Sequence, residues 1–453
     1  EIEKERNRPR AEAGRMQATD GCSGGVRMLV RWQGERKASA STLDRWELLA
    51  GCRLIVLLGA LPLLTRSGLA LLMLSSGLLW LLWSLATPSA PIDKITTWLL
   101  IILGLAVLAT GVSPVPIAAT KGLLKLLSYL GVYALIHKLL IDHKHWWDRL
   151  LAGLLCGGLV SSVLALRQLY ASTEELASWA DPNSMSAGTI RIYGPLGNPN
   201  LLAGYLMPLL PFAAIALLRW RGFGCRLFAA VTLVLTTVAT VLTYSRGGWL
   251  GLIAGLAVVV LLLLVRSTQS WPLIWRRLLP LAVLLIGVVG LVVAATQLEP
   301  IRTRISSLVA GRGDSSNNFR INVWFAAAGI VRDHPWLGIG PGNAAFNSIY
   351  PLYQQPKFNA LSAYSVPLEI LVEMGIPGLI ACVGLLNAAV RKGLASLQLD
   401  RPEALAGIAC LAAISGMLVQ GITDTIFFRP EVQISGWFAL ATLSSQSGQS
   451  KEA

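Results

Sequence analysis

Long apolar runs recur along the 453-residue chain and are separated by short polar segments. Many runs have about 17 to 21 residues, the length that a helix needs to cross roughly 30 Å of hydrocarbon. The uncharged runs are 67–87, 95–113, 201–218, 227–243, 247–265, 278–298 and 404–423. Shorter runs or runs with polar interruptions are 47–65, 122–141, 150–170, 366–390 and 432–445. The pattern predicts an all-α polytopic transmembrane bundle of about twelve helices, because only helices and closed barrels satisfy backbone groups in lipid.

The same pattern predicts how the chain is organised around these helices. Residues 1–45 are polar and charged without an apolar period, so we expect a disordered segment, or translated sequence upstream of a start at Met28. Transmembrane helices 1–9 are predicted in 46–298 and helices 10–12 in 366–445. A long external loop is predicted between them in 299–365, and a tail in 446–453.

Composition and charge fix the environment of the bundle. With 54% hydrophobic and 14% charged residues, the chain is too apolar for an ordinary water-soluble globule. The net charge of +14 does not predict a nucleic-acid partner, because no soluble domain interleaves aromatic and basic residues. The positive-inside rule accounts for the excess of Lys and Arg if both termini are cytoplasmic. We therefore expect a multi-pass protein of the bacterial inner membrane with this orientation.

The loops that this orientation makes cytoplasmic contain most of the basic side chains. They carry Lys94, Lys138, Lys144, Arg149, Arg219, Arg221, Arg226, Arg266, Arg276, Arg277, Arg391, Lys392 and Arg401. The short external loops carry only Arg66, Arg191, Arg246 and Arg429.

Polar side chains in external segments are candidates for a binding site. RIYGPLGNPN (191–200) offers Arg191, Asn198 and Asn200 before a span, and a simple Asn-capped helix start is the alternative. TYSRGGW (243–249) is a tight turn that places Arg246 where the charge rule disfavours a cation.

The long loop and the last external turn offer further candidates. SSNNFRINVWFAAAGIVRD predicts an amphipathic helix from about 317 to 332, with Arg320 at the rim of its apolar face. That face contains Phe319, Val323, Trp324, Ala327 and Ile330. GITDTIFFRPE holds Asp424 and Arg429, either as ligand groups or as part of an ion pair that closes the bundle.

Two short motifs carry no function in this interpretation. RGD at 312–314 is a chance match in a flexible lead-in to the helix. GIGPGN at 338–343 lacks the strand and helix of a dinucleotide site and predicts a turn. Asn343, at the end of that turn, remains a candidate ligand residue.

Several motifs together resemble a known family. LGNPNLLA, LTYSRGGWLG, DSSNNFRINVW and PWLGIGPGN occur in the order found in the O-antigen ligase and polymerase superfamily of membrane glycosyltransferases. With YPLYQQ and ALSAYSVPLE, they are similar to its IctB group, proposed bicarbonate transporters of cyanobacteria. The resemblance covers roughly residues 45–440.

The resemblance implies an external site for an undecaprenyl-diphosphate-linked sugar, with Arg191, Arg246 and Arg320 holding the diphosphate. It also implies a histidine that assists transfer. The matching position, eleven residues before Gly375, is Tyr364 in this chain. With a reference pKa of about 10, a tyrosine is a poor general base at neutral pH.

Two functions therefore stay open, and the IctB resemblance favours the first, with glycan transfer as the alternative. One is transport or accumulation of inorganic carbon through an arginine-lined external anion site, and the other is transfer of a lipid-linked glycan. Transport needs a path inward, for which Lys125 and Arg167 are candidate cations, whereas Glu369 and Glu373 oppose an anion. The sequence shows no paired broken helices of the kind many transporters use.

The predicted partners are the lipid bilayer and an anionic ligand, either bicarbonate or a lipid-diphosphate glycan. No cofactor, metal or nucleic acid is expected. The predicted ligand-binding residues are Arg191, Asn198, Asn200, Arg246, Arg320, Asn343, Asp424 and Arg429.

Overall fold

The computed structural model describes residues 45–87, 92–170, 191–297, 302, 311–425 and 429–446. The chain divides into two compact units, residues 1–49 and 50–453. In the first unit the described residues, 45–49, are helical. The predictions for residues 1–44 and for the tail from 447 onward lie outside the described residues.

The described residues form helices joined by turns, as the apolar pattern predicts. The helices are α1 (45–60), α2 (Arg66–Ala86), α3 (Lys94–Gly111), α4 (Pro116–Asp142), α5 (Trp146–Arg167), α6 (Pro199–Leu206), α7 (Leu209–Arg219), α8 (Phe223–Leu242), α9 (Arg246–Ser267), α10 (Leu273–Gln297), α11 (Ser315–Asp333), α12 (Asn343–Ile349), α13 (Val366–Ser396), α14 (Arg401–Gly421) and α15 (Pro430–Ser445). Each predicted span coincides with one helix or with a helix pair. This confirms the all-α polytopic bundle.

Nine helices of the described chain are long and apolar enough to cross a membrane, when α6 and α7 are taken as one. They are α2, α3, α4, α5, α6 with α7, α8, α9, α13 and α14. The windows in α6 with α7 and in α14 are 83% buried, so these helices form the centre of the bundle. Helices α2, α8 and α9 are 22 to 28% buried, and their exposed Leu and Val side chains suit contact with lipid.

Two of the predicted spans contain an irregularity within the described residues. The predicted span 201–218 divides at Met207 and Pro208, where α6 ends and α7 begins. Inside α13, Gly375 has φ 66° and ψ −165°, which breaks the helical path. The left-handed backbone at this position favours glycine because it lacks a Cβ atom.

The turn at residues 338–342 is hydrogen-bonded to α13 next to its break. The Ile339 N–H donates to the Val372 carbonyl at 2.9 Å, and the Gly340 N–H donates to the Glu373 carbonyl at 3.1 Å. The Ile376 N–H donates to the Pro335 carbonyl at 2.9 Å. The GIGPGN segment is therefore a turn, as predicted, and the broken helix supplies its hydrogen-bond partners.

The segment from Gly311 to Ser365 packs against the bundle through α11 and α12. Helix α11 contacts α13, and α12 contacts α4. Val323, Ala327 and Ile330 of the predicted apolar face are buried, whereas Phe319 and Trp324 are half-buried. Phe346 and Ile349 of α12 join the same core. The amphipathic helix is thus confirmed, although it begins two residues before the predicted start.

Lys138 lies inside a helix, as do several other basic residues of the predicted cytoplasmic loops, among them Arg149 and Lys392. It was expected in a cytoplasmic loop, but α4 continues to Asp142 and the side chain is buried. Its ammonium lies 5.1 Å from the centre of the Trp83 ring and 3.9 Å from the Asp142 carboxylate. The long aliphatic stem lets a lysine occupy such a position near a helix end.

Candidate functional site

Arg246 and Asp314 form a buried ion pair at the starts of α9 and α11. The Ser245 hydroxyl accepts from the Gly248 N–H and caps α9, so Arg246 occupies the first helical position. Its Nη2 lies 3.1 Å from Asp314 Oδ1. Asp314 also caps α11 by accepting from the Asn317 N–H at 3.1 Å, and it is 1% exposed. The carboxylate thereby holds the beginnings of two distant helices together.

This pair corrects the interpretation of the RGD letters. Asp314 lies at the start of α11, not in a flexible lead-in, and the helix begins at Ser315 instead of near residue 317. The missed signal was an acidic residue directly before SSNN, which is a common helix start. The sequence did not show that a buried arginine 68 positions earlier would be its partner.

Arg320 lies on α11 near the same pair. Its Nη1 donates to the Ser316 hydroxyl at 3.1 Å, whereas its buried Nε has no hydrogen-bond partner among the described residues. Burial lowers the pKa of Arg320, the Asp424 carboxylate opposes this effect, and the positive charge of Arg246 adds to it. An arginine nevertheless stays protonated in proteins. The two guanidinium groups are therefore near enough to repel each other.

We call Arg246, Asp314, Arg320, Tyr364 and Asp424 the guanidinium cluster. Asp424 follows α14 and is 6% exposed, and the neighbouring Thr425 hydroxyl is hydrogen-bonded to that of Ser362. Asp314 acts electrostatically on Arg320 together with Asp424 and Tyr364. The fold thus brings together side chains from four separate parts of the chain.

Tyr364, at the position where the resemblance implies a histidine, has an unusual backbone. Its φ is 50°, in the left-handed region that a residue with a large side chain rarely adopts. The Trp324 indole N–H donates to its carbonyl at 3.3 Å, and its ring meets Phe319 edge-on at 5.4 Å. Burial and the Asp424 carboxylate raise the pKa of its hydroxyl, although Arg320 lowers it. The hydroxyl therefore stays protonated at neutral pH and can donate a hydrogen bond.

Arg191 joins the RIYGPLGNPN segment (191–200) to the end of α8. Its Nε donates to the Thr243 carbonyl at 2.8 Å, and its Nη2 donates to Asn200 Oδ1 at 2.7 Å. Asn198 caps α6 by accepting from the Asn200 and Leu201 N–H groups. The structure therefore assigns Asn198 a capping role. Thr243 is three residues before Arg246, so Arg191 supports the turn that carries the cluster arginine.

Asn343 and Arg429 lie apart from these groups. The Asn343 side chain donates to the Leu361 carbonyl at 3.1 Å and lines a cavity beneath the 338–342 turn. Arg429 is exposed before α15 and acts electrostatically on Lys125, which lines the same cavity. The predicted site residues therefore divide between the guanidinium cluster, the Arg191 group and the border of this cavity.

One protein family model matches part of the chain. Residues 231–383 match the family model of the O-antigen ligases. The matched range covers about a third of the chain and contains Arg246, Asp314, Arg320 and Tyr364 of the cluster, whereas Asp424 lies beyond it. The chain matches no curated protein. The match and the candidate membrane spans support an integral membrane protein of the O-antigen ligase type, in agreement with the superfamily resemblance.

Proposed function

We propose that the protein transfers a glycan from a lipid diphosphate, and that the guanidinium cluster binds the diphosphate. The observation that carries the proposal is that Asp314 joins Arg246 to the start of α11, the helix that carries Arg320. Like charges repel, so an arrangement that holds them together suits an anion that carries more than one charge. Guanidinium groups bind phosphate oxygens through paired charge-assisted hydrogen bonds.

The chemistry of transfer assigns a role to each group. The bond between the anomeric carbon and the phosphate oxygen breaks, and a bond to the acceptor hydroxyl oxygen forms. The arginines stabilise the negative charge that develops on the leaving diphosphate. The acceptor hydroxyl must lose its proton, and the protonated Tyr364 is unsuited to take it. Asp424, which acts on both Arg320 and Tyr364, is our candidate proton acceptor.

We place the cluster on the external face of the inner membrane, with both termini cytoplasmic. The excess of Lys and Arg in the loops at the other end supports this orientation. An external site suits a lipid-linked glycan, because such a sugar is too polar to lie in hydrocarbon.

The arginine variants test the proposal. Purified protein would be given a synthetic polyprenyl-diphosphate oligosaccharide and an acceptor, and the release of polyprenyl diphosphate would be measured. Arg320→Ala should lower the rate at least about a hundredfold, since removal of one group that stabilises developing charge typically has this effect. Arg332→Ala is the matched control, because this arginine lies on the same helix and its side chain is 87% exposed.

The outcome that contradicts the proposal is equal transfer by wild type and Arg320→Ala. A Tyr364→Phe variant is a second test, at the position where the resemblance implies a histidine. Because the hydroxyl stays protonated, its loss should slow transfer without moving the pH profile between about pH 7 and pH 9. A shifted profile would instead show that Tyr364 titrates during the reaction.

The IctB resemblance predicts uptake of bicarbonate by the same arginines, and the family match does not extend to that activity. Sealed vesicles containing the protein separate the two predictions. Transfer without uptake of labelled bicarbonate supports the proposed function. Uptake without transfer would replace it.

A further inference from the structure

A cavity of about 150 Å³ lies beneath the 338–342 turn, between α3, α4, α13 and α15. Its walls are mainly apolar, and they include Leu99, Ile102, Leu126, Leu385 and Leu440. Polar groups reach it from three helices: Lys125 and Tyr129 of α4, Glu373 of α13, and Gln433 and Trp437 of α15. This cavity is distinct from the guanidinium cluster.

Several buried polar atoms of the lining are left without a hydrogen-bond partner among the described residues. They are the Tyr129 hydroxyl, Glu373 Oε1, Gln433 Oε1 and Trp437 Nε1. The four side chains are at most 8% exposed. Buried polar groups in native proteins are nearly always paired, often with ordered water. A cavity of this size holds several waters at roughly 30 Å³ each, and the lining offers them both donors and acceptors.

A stripe of side chains continues this polar lining along α4. Lys125, Tyr129, Tyr133 and His137 are spaced four residues apart and so lie on one face of the helix. Lys125 and His137 are twelve residues apart, which corresponds to about 18 Å along the helix axis. The Tyr129 and Tyr133 rings lie 6.3 and 6.1 Å from Trp437, and Tyr133 stacks on His137 at 5.7 Å.

Hydrogen bonds extend the stripe to the opposite end of the bundle. The Tyr133 hydroxyl donates to Ser444 Oγ at 2.9 Å, and Ser444 donates to Asp93 Oδ1 at 2.7 Å. Lys392 Nζ lies 3.3 Å from Asp93 Oδ2. Burial raises the pKa of Asp93, but hydrogen bonds from Thr96 and Ser444 and the Lys392 charge lower it overall. Asp93 is therefore a carboxylate at neutral pH.

We propose that this α4 file, which consists of Lys125, Tyr129, Tyr133 and His137 with Glu373, Ser444 and Asp93, carries protons between the two ends of the bundle. Water in the cavity would connect Glu373 to the tyrosines. In each step one O–H or N–H bond breaks as the next forms, and the file returns to its initial state by rotation of these groups. Chains of Asp, Glu and His inside a membrane bundle are typical of proton relays.

The positive charge of Lys125 favours transport of protons over metal cations. The Lys125 ammonium repels Na⁺ and K⁺, whereas protons pass by exchange through bonded hydrogens. The charged groups that face the file or act on it from neighbouring elements are Arg66, Asp93, Glu373, Lys392, Arg429, Glu431 and Asp142. This activity is separate from the proposed glycan transfer, and neither requires the other.

The native Cys382 tests whether water reaches the cavity that it lines. In a variant whose other cysteines are replaced by Ala, a charged methanethiosulfonate should label Cys382 in membrane vesicles. The matched control keeps Cys410 alone, because this residue is fully buried in α14 and lies outside the cavity lining. Unlabelled Cys382 would overturn the hydrated file.

Proton flux tests the relay itself. Liposomes with a pH-sensitive dye inside, and a K⁺ gradient with valinomycin to set the potential, should acidify faster with the protein than without it. Tyr133→Phe and Glu373→Gln should each lower this flux at least about tenfold. Tyr205→Phe is the control, because that hydroxyl is also buried without a partner among the described residues but lies on α6.

Flux equal to that of protein-free liposomes, or flux unchanged in both Tyr133→Phe and Glu373→Gln, would overturn the proposal even if Cys382 is labelled. The same preparations would be assayed for glycan transfer. Lost transfer with normal proton flux counts against the proposed function alone. Lost flux in wild type with normal transfer counts against the relay alone. The melting temperature of each variant shows whether it is folded.

Discussion

Asp314 shows how one side chain can serve two elements. Its Oδ1 accepts from the Asn317 N–H and also meets Arg246 at 3.1 Å. Burial of an isolated charge is costly, whereas a paired and hydrogen-bonded charge is tolerated. The guanidinium cluster therefore depends on a residue that binds no ligand in our proposal.

Asp314→Ala should lower the free energy of unfolding by about 3 kcal/mol or more, because it leaves Arg246 without its buried partner and removes a helix cap. Thermal unfolding in detergent, followed by tryptophan fluorescence, measures the change. Asp314→Asn retains an oxygen for the cap and should fall between Asp314→Ala and wild type.

Asp333→Ala is the comparison at the other end of α11. Its side chain is 46% exposed, where it meets Arg332 and accepts from the Tyr353 hydroxyl. An exposed pair is worth about 1 kcal/mol or less. Equal losses in Asp314→Ala and Asp333→Ala would show that the Arg246 pair contributes no special stability.

At the scale of elements, glycines set how closely α9 and α14 approach. Gly247, Gly251 and Gly255 lie four residues apart on the face of α9 that meets α14. A Cβ atom at Gly251 would lie 2.7 Å from the Gly416 carbonyl oxygen. Small residues at this spacing let helix backbones pack closely in membranes. This contact also positions Arg246 at the start of α9.

Gly251→Ala should destabilise the protein by about 1 to 3 kcal/mol, because the added methyl group forces the helices apart. Gly104→Ala is the matched control, since nothing lies within 4 Å of its added Cβ. It should be neutral or slightly stabilising, because alanine favours a helix over glycine. Melting temperatures that fall equally in both variants would contradict the close packing of α9 on α14.

For the whole molecule, orientation in the membrane is the main prediction. In a cysteine-free background, Lys357→Cys should react with an impermeant maleimide in intact cells, because it lies in the predicted external segment. Lys144→Cys, exposed after the other end of α4, should react only after the membrane is opened. The reverse labelling would invert the topology and place the guanidinium cluster on the cytoplasmic face.

Much of the architecture is determined by local pattern. Runs of apolar residues predict the helices because lipid requires each segment to satisfy its own backbone hydrogen bonds. The period of Val323, Ala327 and Ile330 likewise predicts which face of α11 is buried. Motifs led to Arg246, Arg320 and Tyr364, and the family match includes all three.

Only the tertiary structure decided which of these groups meet. Arg246 and Asp314 are 68 residues apart, and Tyr133 and Ser444 are 311 residues apart, so no local period links them. The partner of the break at Gly375 was also hidden, because the turn at 338–342 that donates to the freed carbonyls lies far from it in the sequence. The sequence by itself determined the helices and the polar and charged residues that could bind a ligand or carry a proton. Helix packing, which depends on contacts between distant positions, decided that they form a cluster and a separate polar file.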